Sequence, residues 1–308
     1  MAFLATQPGR DRLIASVATQ GLWESTDGGD SWNALGQGKD SEMITNRASS
    51  ITFDPDDATT FWESGIYHAN GIYRTNDDGD TFKSLSNIWH NDYVSIDFTD
   101  PKRRTLLASG HEQAHTLYQS TDGGENWTTI GDSIPQASSV CPFPVVLDAQ
   151  TYLLGCDSQG GAQIGIYRST DAGTSWMLVA DRGGGSAPLF ASDGSIYWAT
   201  ENKAGIVRST DQGETWSDPA GVGVVAGTHP VELPDGRLAT LGAQQVVVSA
   251  DQGQSWTVVS PAFPFDPNGL VYSPEEKAFY IWHFSCGGGN VPVPDDAILR
   301  YDYDYEAQ

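Results

Sequence analysis

The sequence is short of basic residues, of cysteine and of any long apolar run, and each shortage excludes something. Only 16 of its 308 residues are Lys or Arg, against 40 Asp or Glu, for a formal charge of −24. A field of that sign opposes the phosphate backbone, so nucleic acid is not an expected partner. No stretch approaches the ~20 consecutive apolar residues that a membrane-spanning helix requires, and no heptad pattern is sustained. A membrane partner is therefore not expected either. The opening Met1-Ala-Phe-Leu runs directly into strand-like sequence, with neither a basic segment nor an apolar signal core. Location is left open, with an extracellular protein whose leader has been removed as the leading expectation. The acidic residues scattered among turns are in keeping with it.

Three cysteines cannot all pair within one chain. Cys141 and Cys156 stand seven residues before and seven after the predicted turn Asp148-Ala149, so a two-residue hairpin would set them opposite each other. A cross-strand disulfide in an oxidising compartment and a pair of small buried thiols both fit this spacing. Cys286 is left as the single thiol.

What the chain does have is punctuation. Six octapeptides align: Ser25-Thr-Asp27-Gly-Gly29-Asp-Ser31-Trp32, Thr75-Asn-Asp77-Asp-Gly79-Asp-Thr81-Phe82, Ser120-Thr-Asp122-Gly-Gly124-Glu-Asn126-Trp127, Ser169-Thr-Asp171-Ala-Gly173-Thr-Ser175-Trp176, Ser209-Thr-Asp211-Gln-Gly213-Glu-Thr215-Trp216 and Ser249-Ala-Asp251-Gln-Gly253-Gln-Ser255-Trp256. From Asp to Asp the intervals are 50, 45, 49, 40 and 40 residues, close to the ~40–50 that one four-stranded propeller blade occupies. A short Asp side chain can accept from nearby backbone N–H groups, Gly supplies a positive φ, and the aromatic residue anchors the turn in a core. Short apolar strands precede each copy, as in Gly71-Ile-Tyr-Arg74 or Gly165-Ile-Tyr-Arg168, so the octapeptide reads as the turn between the third and fourth strands of a blade. A last unit has the same rhythm, with Gly269-Leu-Val-Tyr272, Ala278-Phe-Tyr-Ile-Trp282 and Ala297-Ile-Leu-Arg-Tyr301, but Tyr301-Asp-Tyr-Asp304 replaces the octapeptide and no fourth strand follows. The expectation is one all-β domain over residues 1–308, a seven-bladed β-propeller of four-stranded antiparallel blades, with six blades as the alternative.

The pattern Ser/Thr-x-Asp-x-Gly-x-Ser/Thr-Trp resembles the bacterial neuraminidase repeat, or Asp box, and covers nearly the whole chain in register. The resemblance implies the sialidase-like propeller fold and a superfamily that includes sialidases, xyloglucanases, some polysaccharide lyases, sorting receptors and a photosystem assembly factor. The box residues themselves are structural in that superfamily.

Alternating strand direction sorts the loops onto two faces. Loops between second and third strands, and those between blades, emerge opposite the boxes. All six histidines fall there: His68, His111, His115 and His283 in second-to-third loops, His90 and His229 in blade-to-blade loops. Histidine exchanges protons near neutral pH and loops on a rigid scaffold carry function, so this face is the expected site. The arginine distribution argues against a sialidase, whose relatives clamp the substrate carboxylate with three arginines on the active face. Here most arginines fall beside the boxes or in loops on the same face as the boxes, only Arg47 and Arg182 remain for the other face, and no Phe-Arg-Ile-Pro motif stands near the start.

A His-rich face with one or two arginines fits β-elimination on an acidic, uronate-containing glycan, which is the leading functional expectation. His90 or His111 would take the C5 proton with Tyr93 and His68 assisting, and Arg47 or Arg182 would neutralise the uronate carboxylate. Asn91, Asp92, Glu112, Gln113 and His283 would complete the binding surface. The alternatives are a glycoside hydrolase using two carboxylates among Glu63, Asp92, Glu112, Asp157 and Glu201, and a non-catalytic glycan- or protein-binding propeller with Trp62, Trp89, Trp198 and Trp282 as platforms. A monomer with a polysaccharide or oligosaccharide as substrate is expected, with no cofactor required. A divalent metal held by His90, His111 and His283 is a lesser alternative.

Overall fold

A computed structural model describes residues 3–39, 41–68, 70–85, 88–158, 161–200, 205–218, 220–225, 227–284 and 297–307. Cys286 and Glu201 lie outside the described residues. Seven antiparallel sheets follow one another along the chain, and each is a blade. Blade 1 comprises Phe3–Thr6, Leu13–Val17, Gly21–Ser25 and Asn33–Ala34; blade 2 comprises Arg47–Phe53, Phe61–Ile66, Ile72–Thr75 and Lys83–Ser84. Blade 3 runs from Val94–Ile96 through Leu106–Ser109 and Leu117–Ser120 to Thr128–Thr129, and blade 4 from Phe143–Val146 through Tyr152–Cys156 and Gly165–Ser169 to Met177–Ala180. Blade 5 begins with Leu189–Phe190, Ile196–Ala199 and Ile206–Ser209, and blade 6 holds Val231–Glu232, Leu238–Leu241, Val246–Ser249 and Thr257–Val258. Blade 7 consists of Gly269–Ser273, Ala278–His283 and Ala297–Asp302. The architecture is the expected seven-bladed propeller, with two departures from four strands. Blade 5 keeps only the single bridge Ile206–Ala220 where its fourth strand would lie, and blade 7 has three strands.

The boxes form one repeated hydrogen-bond pattern. In blade 1 the Ser25 hydroxyl donates to Asp27 Oδ1 at 2.7 Å and accepts from the Gly29 N–H at 2.9 Å. Asp27 also accepts from the Ser31 N–H at 2.9 Å and from the Ser31 hydroxyl at 2.5 Å. The same bonds recur around Asp77, Asp122, Asp171, Asp211 and Asp251. Two consecutive residues take positive φ in every box, among them Ala172 and Gly173, or Gln212 and Gly213. The second is always Gly, where a side chain would be strained, and at Gly79, Gly124, Gly173 and Gly213 it would also press on the preceding blade. The aromatic residue that ends the box then enters the seam with the preceding blade. Trp127 of blade 3 packs with Trp62, Ile72 and Leu85 of blade 2, and Trp176 of blade 4 with Leu107, Leu117 and Ile134 of blade 3. The core is accordingly a ring of seven apolar clusters, one per seam.

Cys141 and Cys156 are joined by a disulfide in blade 4. The hairpin differs from the two-residue turn expected from sequence. Asp148 accepts from the N–H groups of Gln150 and Thr151 and widens the turn, and the strands pair Phe143 with Gly155 and Val146 with Tyr152. Cys141 therefore stands ahead of the innermost strand, one step out of direct register with Cys156. Among the described residues no helix is long and apolar enough to cross a membrane.

Two outcomes follow from the boxes. Replacing Trp127 by Ala empties part of the seam between blades 2 and 3 and is expected to lower unfolding stability by about 3 kcal/mol, read as a shift in the urea midpoint at unchanged slope. The box carboxyls of Asp27, Asp171, Asp211 and Asp251 are held down to about 2 by hydrogen bonds led by those from Ser31, Ser175, Thr215 and Ser255. With folded values below unfolded ones, the stability they confer is complete above about 4 and is lost as pH falls towards 2. Urea midpoints measured across pH should be level down to about 5 and then drop between 4 and 2; a midpoint unchanged at pH 2 would show that the boxes contribute nothing through charge.

Candidate functional site

On the face opposite the boxes, where blades 2 and 3 meet, four ring systems converge. Tyr67 and His68 follow the second strand of blade 2, Trp89 and His90 lie on the link into blade 3, and His111 follows the second strand of blade 3. The His90 and His111 rings stand edge to face at 4.8 Å between centroids, Tyr67 lies 5.0 Å from His90 and 5.5 Å from His111, and Trp89 lies 5.6 Å from His90. The Arg47 guanidinium, at the start of the innermost strand of blade 2, lies 5.1 Å from the Tyr67 ring centre. Trp89 is 60% exposed and Tyr67 43%, so the cluster presents apolar ring faces to solvent.

The hydrogen bonds fix how each imidazole is used. Tyr67 N–H donates to His90 Nδ1 at 2.9 Å, which leaves a neutral His90 with its proton on Nε2. His111 Nδ1 faces Asp92 Oδ1 at 2.7 Å, so that nitrogen is the protonated one. Its Nε2 lies 3.4 Å from the Tyr67 hydroxyl and 3.8 Å from Glu112 Oε1. The bond to Asp92 raises the His111 pKa above the ordinary histidine value. Burial, and then the neighbouring His111, lower that of His90. Tyr67, His90 and Glu112 all adopt positive φ, at 68°, 65° and 52°. Three non-glycine residues in that region at one site mark a strained constellation held by its surroundings.

Beside the cluster a cavity of about 350 Å³ opens between blades 1 and 2, lined by Thr19, Thr45, Asn46, Arg47, Tyr67 and His68. Asn46 is buried and donates to Glu63 Oε2 at 3.2 Å and to the Asn70 carbonyl at 3.2 Å. Glu63 is not a loop carboxylate as the sequence suggested. It sits in the middle of the second strand of blade 2, wholly buried, and burial pushes its carboxyl up to about 8. Room for Asn46 comes from Gly65, where a Cβ would lie 2.5 Å from the Asn46 side chain.

Other residues singled out in the sequence have other surroundings. Asn91 is buried, and its side chain donates to the Ser109 carbonyl at 2.7 Å. Tyr93 packs on Phe143, and burial raises its phenol to about 12. Gln113 lies in the loop that carries His111, and a Cβ on Gly110 would meet its side chain at 3.1 Å. Arg182 follows the fourth strand of blade 4 and pairs with Asp181 at 3.0 Å. His283 ends the second strand of blade 7, where its Nδ1 meets the Asp266 carbonyl at 2.7 Å. Neither joins the cluster on blades 2 and 3. Among the described residues no group of three or more His, Cys, Asp and Glu is arranged to hold a metal ion. Trp62, Trp198 and Trp282 are core residues rather than platforms, at 1%, 0% and 6% exposure.

Sequence reasoning passed over Tyr67 and Asn46. The first adjoins His68 in the same loop, which was a usable signal; the second has no local pattern. A larger cavity, about 630 Å³, lies on the box face. Its charges are engaged with one another through Arg10–Asp78 at 2.5 Å, Arg12–Glu24 at 2.6 Å and Lys39–Asp80 at 3.1 Å, which leaves it little chemistry to offer.

The two imidazoles should titrate on opposite sides of the free-histidine value near 6.5. Proton NMR is expected to show His111 above it and His90 below it, and Asp92→Asn should bring His111 down. Because the folded His111 value lies above the unfolded one, the stability gained from its pair with Asp92 is complete below about 6.5 and is lost as pH rises through the folded value. A His111 that titrates at or below the free value would remove Asp92 from this role.

The profile described as "Sortilin, neurotensin receptor 3" matches residues 20–150, and that of the BNR/Asp-box repeat matches residues 207–218. A xyloglucanase of Paenibacillus sp. is 25% identical over 235 residues, which is 63% of this chain and 22% of that protein. The xyloglucanase structure from Xanthomonas campestris superposes with a TM-score of 0.60 at 18% identity, over 88% of this chain and 49% of that one. A YCF48 structure bound to a D1 peptide gives 0.56 at 17% identity, over 77% and 75%. The chain thus spans about a fifth of the curated relative and half of the xyloglucanase structure. With six boxes in register on seven blades, one of them matched by the repeat's own profile, the chain is an Asp-box repeat propeller.

Proposed function

We propose that this propeller acts on a polysaccharide and cleaves a glycosidic bond by hydrolysis at the rim shared by blades 2 and 3. The observation that carries the reading is His111 bracketed by two carboxyl groups, Asp92 at 2.7 Å from Nδ1 and Glu112 at 3.8 Å from Nε2, beside the exposed rings of Tyr67 and Trp89. Hydrolysis needs one group to protonate the leaving oxygen and another to activate water. Asp92 favours the imidazolium form of His111, whose Nε2–H is then the proton donor, and the exposed Glu112 is the base. Flat rings bordered by polar groups suit a sugar, which has apolar C–H faces and a hydroxyl rim. The xyloglucanase relatives support the substrate class, and xyloglucan is the first polymer to test.

A second reading is elimination from a uronate, the reaction the sequence alone put first. Arg47 beside Tyr67, with the Tyr67 hydroxyl 3.4 Å from His111 Nε2, is the feature that favours it. The relatives favour hydrolysis over it.

The two reactions differ in product. Incubation with xyloglucan is expected to release reducing ends without the ultraviolet absorbance of an unsaturated uronate. His111→Ala and Glu112→Gln should each lower kcat by about 100-fold or more, Glu112→Gln at an unchanged urea midpoint. Activity should decline as pH rises through the His111 value, and Asp92→Asn should move that decline to lower pH. Unsaturated ends from a uronate polymer would replace hydrolysis by elimination; retention of glycans with neither product would leave a binding module.

A further inference from the structure

Every fourth strand that follows a box aromatic in blades 1, 2, 3 and 6 sends one aliphatic side chain into the seam with the next blade. Leu35, Leu85, Ile130 and Val259 each stand three residues beyond that aromatic, and each packs in a seam cluster. Their N–H groups donate to third-strand carbonyls of their own blade, at Leu22 (2.9 Å), Ile72 (3.0 Å), Leu117 (2.8 Å) and Val246 (3.0 Å). The side chain presses on the box glycine of the following blade. A Cβ on Gly79, Gly124 or Gly173 would lie 2.7, 2.9 or 2.8 Å from Leu35, Leu85 or Ile130.

Among the described residues, the seam from blade 7 to blade 1 has the socket without the plug. Among the described residues no strand pairs with the outer edge of Ala297–Asp302. Ile298 stands two residues before Arg300, as Ile72 stands before Arg74 and Ile206 before Arg208, so its carbonyl is the one a fourth strand would engage. Facing it is a largely apolar cavity of about 280 Å³ lined by Ala15, Val17, Gln20, Trp23, Trp32 and Ile298. Ala15, Trp23 and Trp32 hold the positions that Ala108, Tyr118 and Trp127 hold around Leu85. A Cβ on Gly29, the box glycine of this seam, would meet nothing closer than 3.7 Å.

Residues 303–307, which follow the strand, do not fill the socket. Arg237 Nη2 donates to the Tyr305 carbonyl at 2.6 Å, and Lys277 pairs with Asp304 and Glu306 at 3.1 and 2.7 Å. These contacts draw the chain across towards blade 6. We propose that the open edge of blade 7 and this cavity bind an extended segment of a separate polypeptide, which pairs antiparallel to Ala297–Asp302 and inserts one Leu, Ile or Val beside Trp32. Backbone pairing supplies affinity and the socket supplies selectivity, the division of labour in strand addition. The acidic chain, with Glu276 and Asp302 already holding Arg300, favours a neutral or basic segment over an acidic one.

The sister blades provide the probe. A fluorescein-labelled peptide copying residues 255–261, which carries Val259, is expected to bind the full chain saturably in an anisotropy titration. The same peptide with Asp for Val259, or with the Val259 amide N-methylated, should bind about tenfold more weakly or worse, and Ile298→Asp in the protein should do the same. The peptide variants leave the protein untouched, so the test stands even if Ile298→Asp fails to fold. Absence of saturable binding, equal affinity for all three peptides, or a dimer closed edge to edge that the peptide does not dissociate would each overturn the proposal.

Discussion

The structure depends on one repeated contact, the delivery of an aromatic side chain across the seam to the blade before it. A box is short enough for its Ser and Asp to close on themselves through local hydrogen bonds, and its two left-handed residues turn the chain so that the terminal Trp or Phe leaves its own sheet. At Gly79, Gly124 and Gly173 the aliphatic plug of the preceding blade occupies the space a Cβ would take. The seams between blades 1 and 2, 2 and 3, and 3 and 4 are thus sealed from both sides, by an aromatic residue from the later blade and an aliphatic one from the earlier. Stability in such an array is close to a sum of nearest-neighbour interfaces. Blade 7 therefore holds its place with three strands among the described residues, and the ring closes through the innermost strands of blades 1 and 7.

Sealing one face in this way decides where chemistry can sit. The box face spends its polar groups on itself: box carboxyls are saturated by hydroxyl and amide donors, and Arg10, Arg12 and Lys39 are paired. Loops on the opposite face carry no repeated task and differ from blade to blade. There Tyr67, His90 and Glu112 hold positive φ, at a local cost that persists only because the strands of blades 2 and 3 fix both ends of each loop.

The parts of the molecule written in local spacing were legible in the sequence. Six boxes at blade-length intervals gave the fold, the missing strand of blade 7 and the sorting of histidines onto one face, because strand direction alternates and nothing else is needed. The site was legible only in its inventory. His111 meets Asp92 across 19 residues and Tyr67 across 44, and no periodicity encodes which loop ends converge. Glu63 misled for the opposite reason: an acidic residue near a strand end reads as solvated, and only the packing around Asn46 and Gly65 shows that it is enclosed. The hairpin of blade 4 was misread because Asp148 captures two amides and lengthens the turn, a side-chain effect invisible to residue counting.

The direction of the two histidine shifts bears on which reaction the site can run. Elimination needs an unprotonated acceptor for the C5 proton. His90 remains neutral, but its Nδ1 is already engaged by the Tyr67 amide and its Nε2 carries the proton, so it has no lone pair to offer. His111 keeps Nε2 free only when neutral, and Asp92 moves that condition to higher pH. Tyr93 holds its proton more tightly than a free phenol. The imidazoles and the phenol are accordingly poor bases, and on the proposed reading the His111 proton donor and the exposed Glu112 carboxylate divide the work that cleavage by water requires. On the proposed reading, proton inventory rather than the count of histidines favours hydrolysis over elimination.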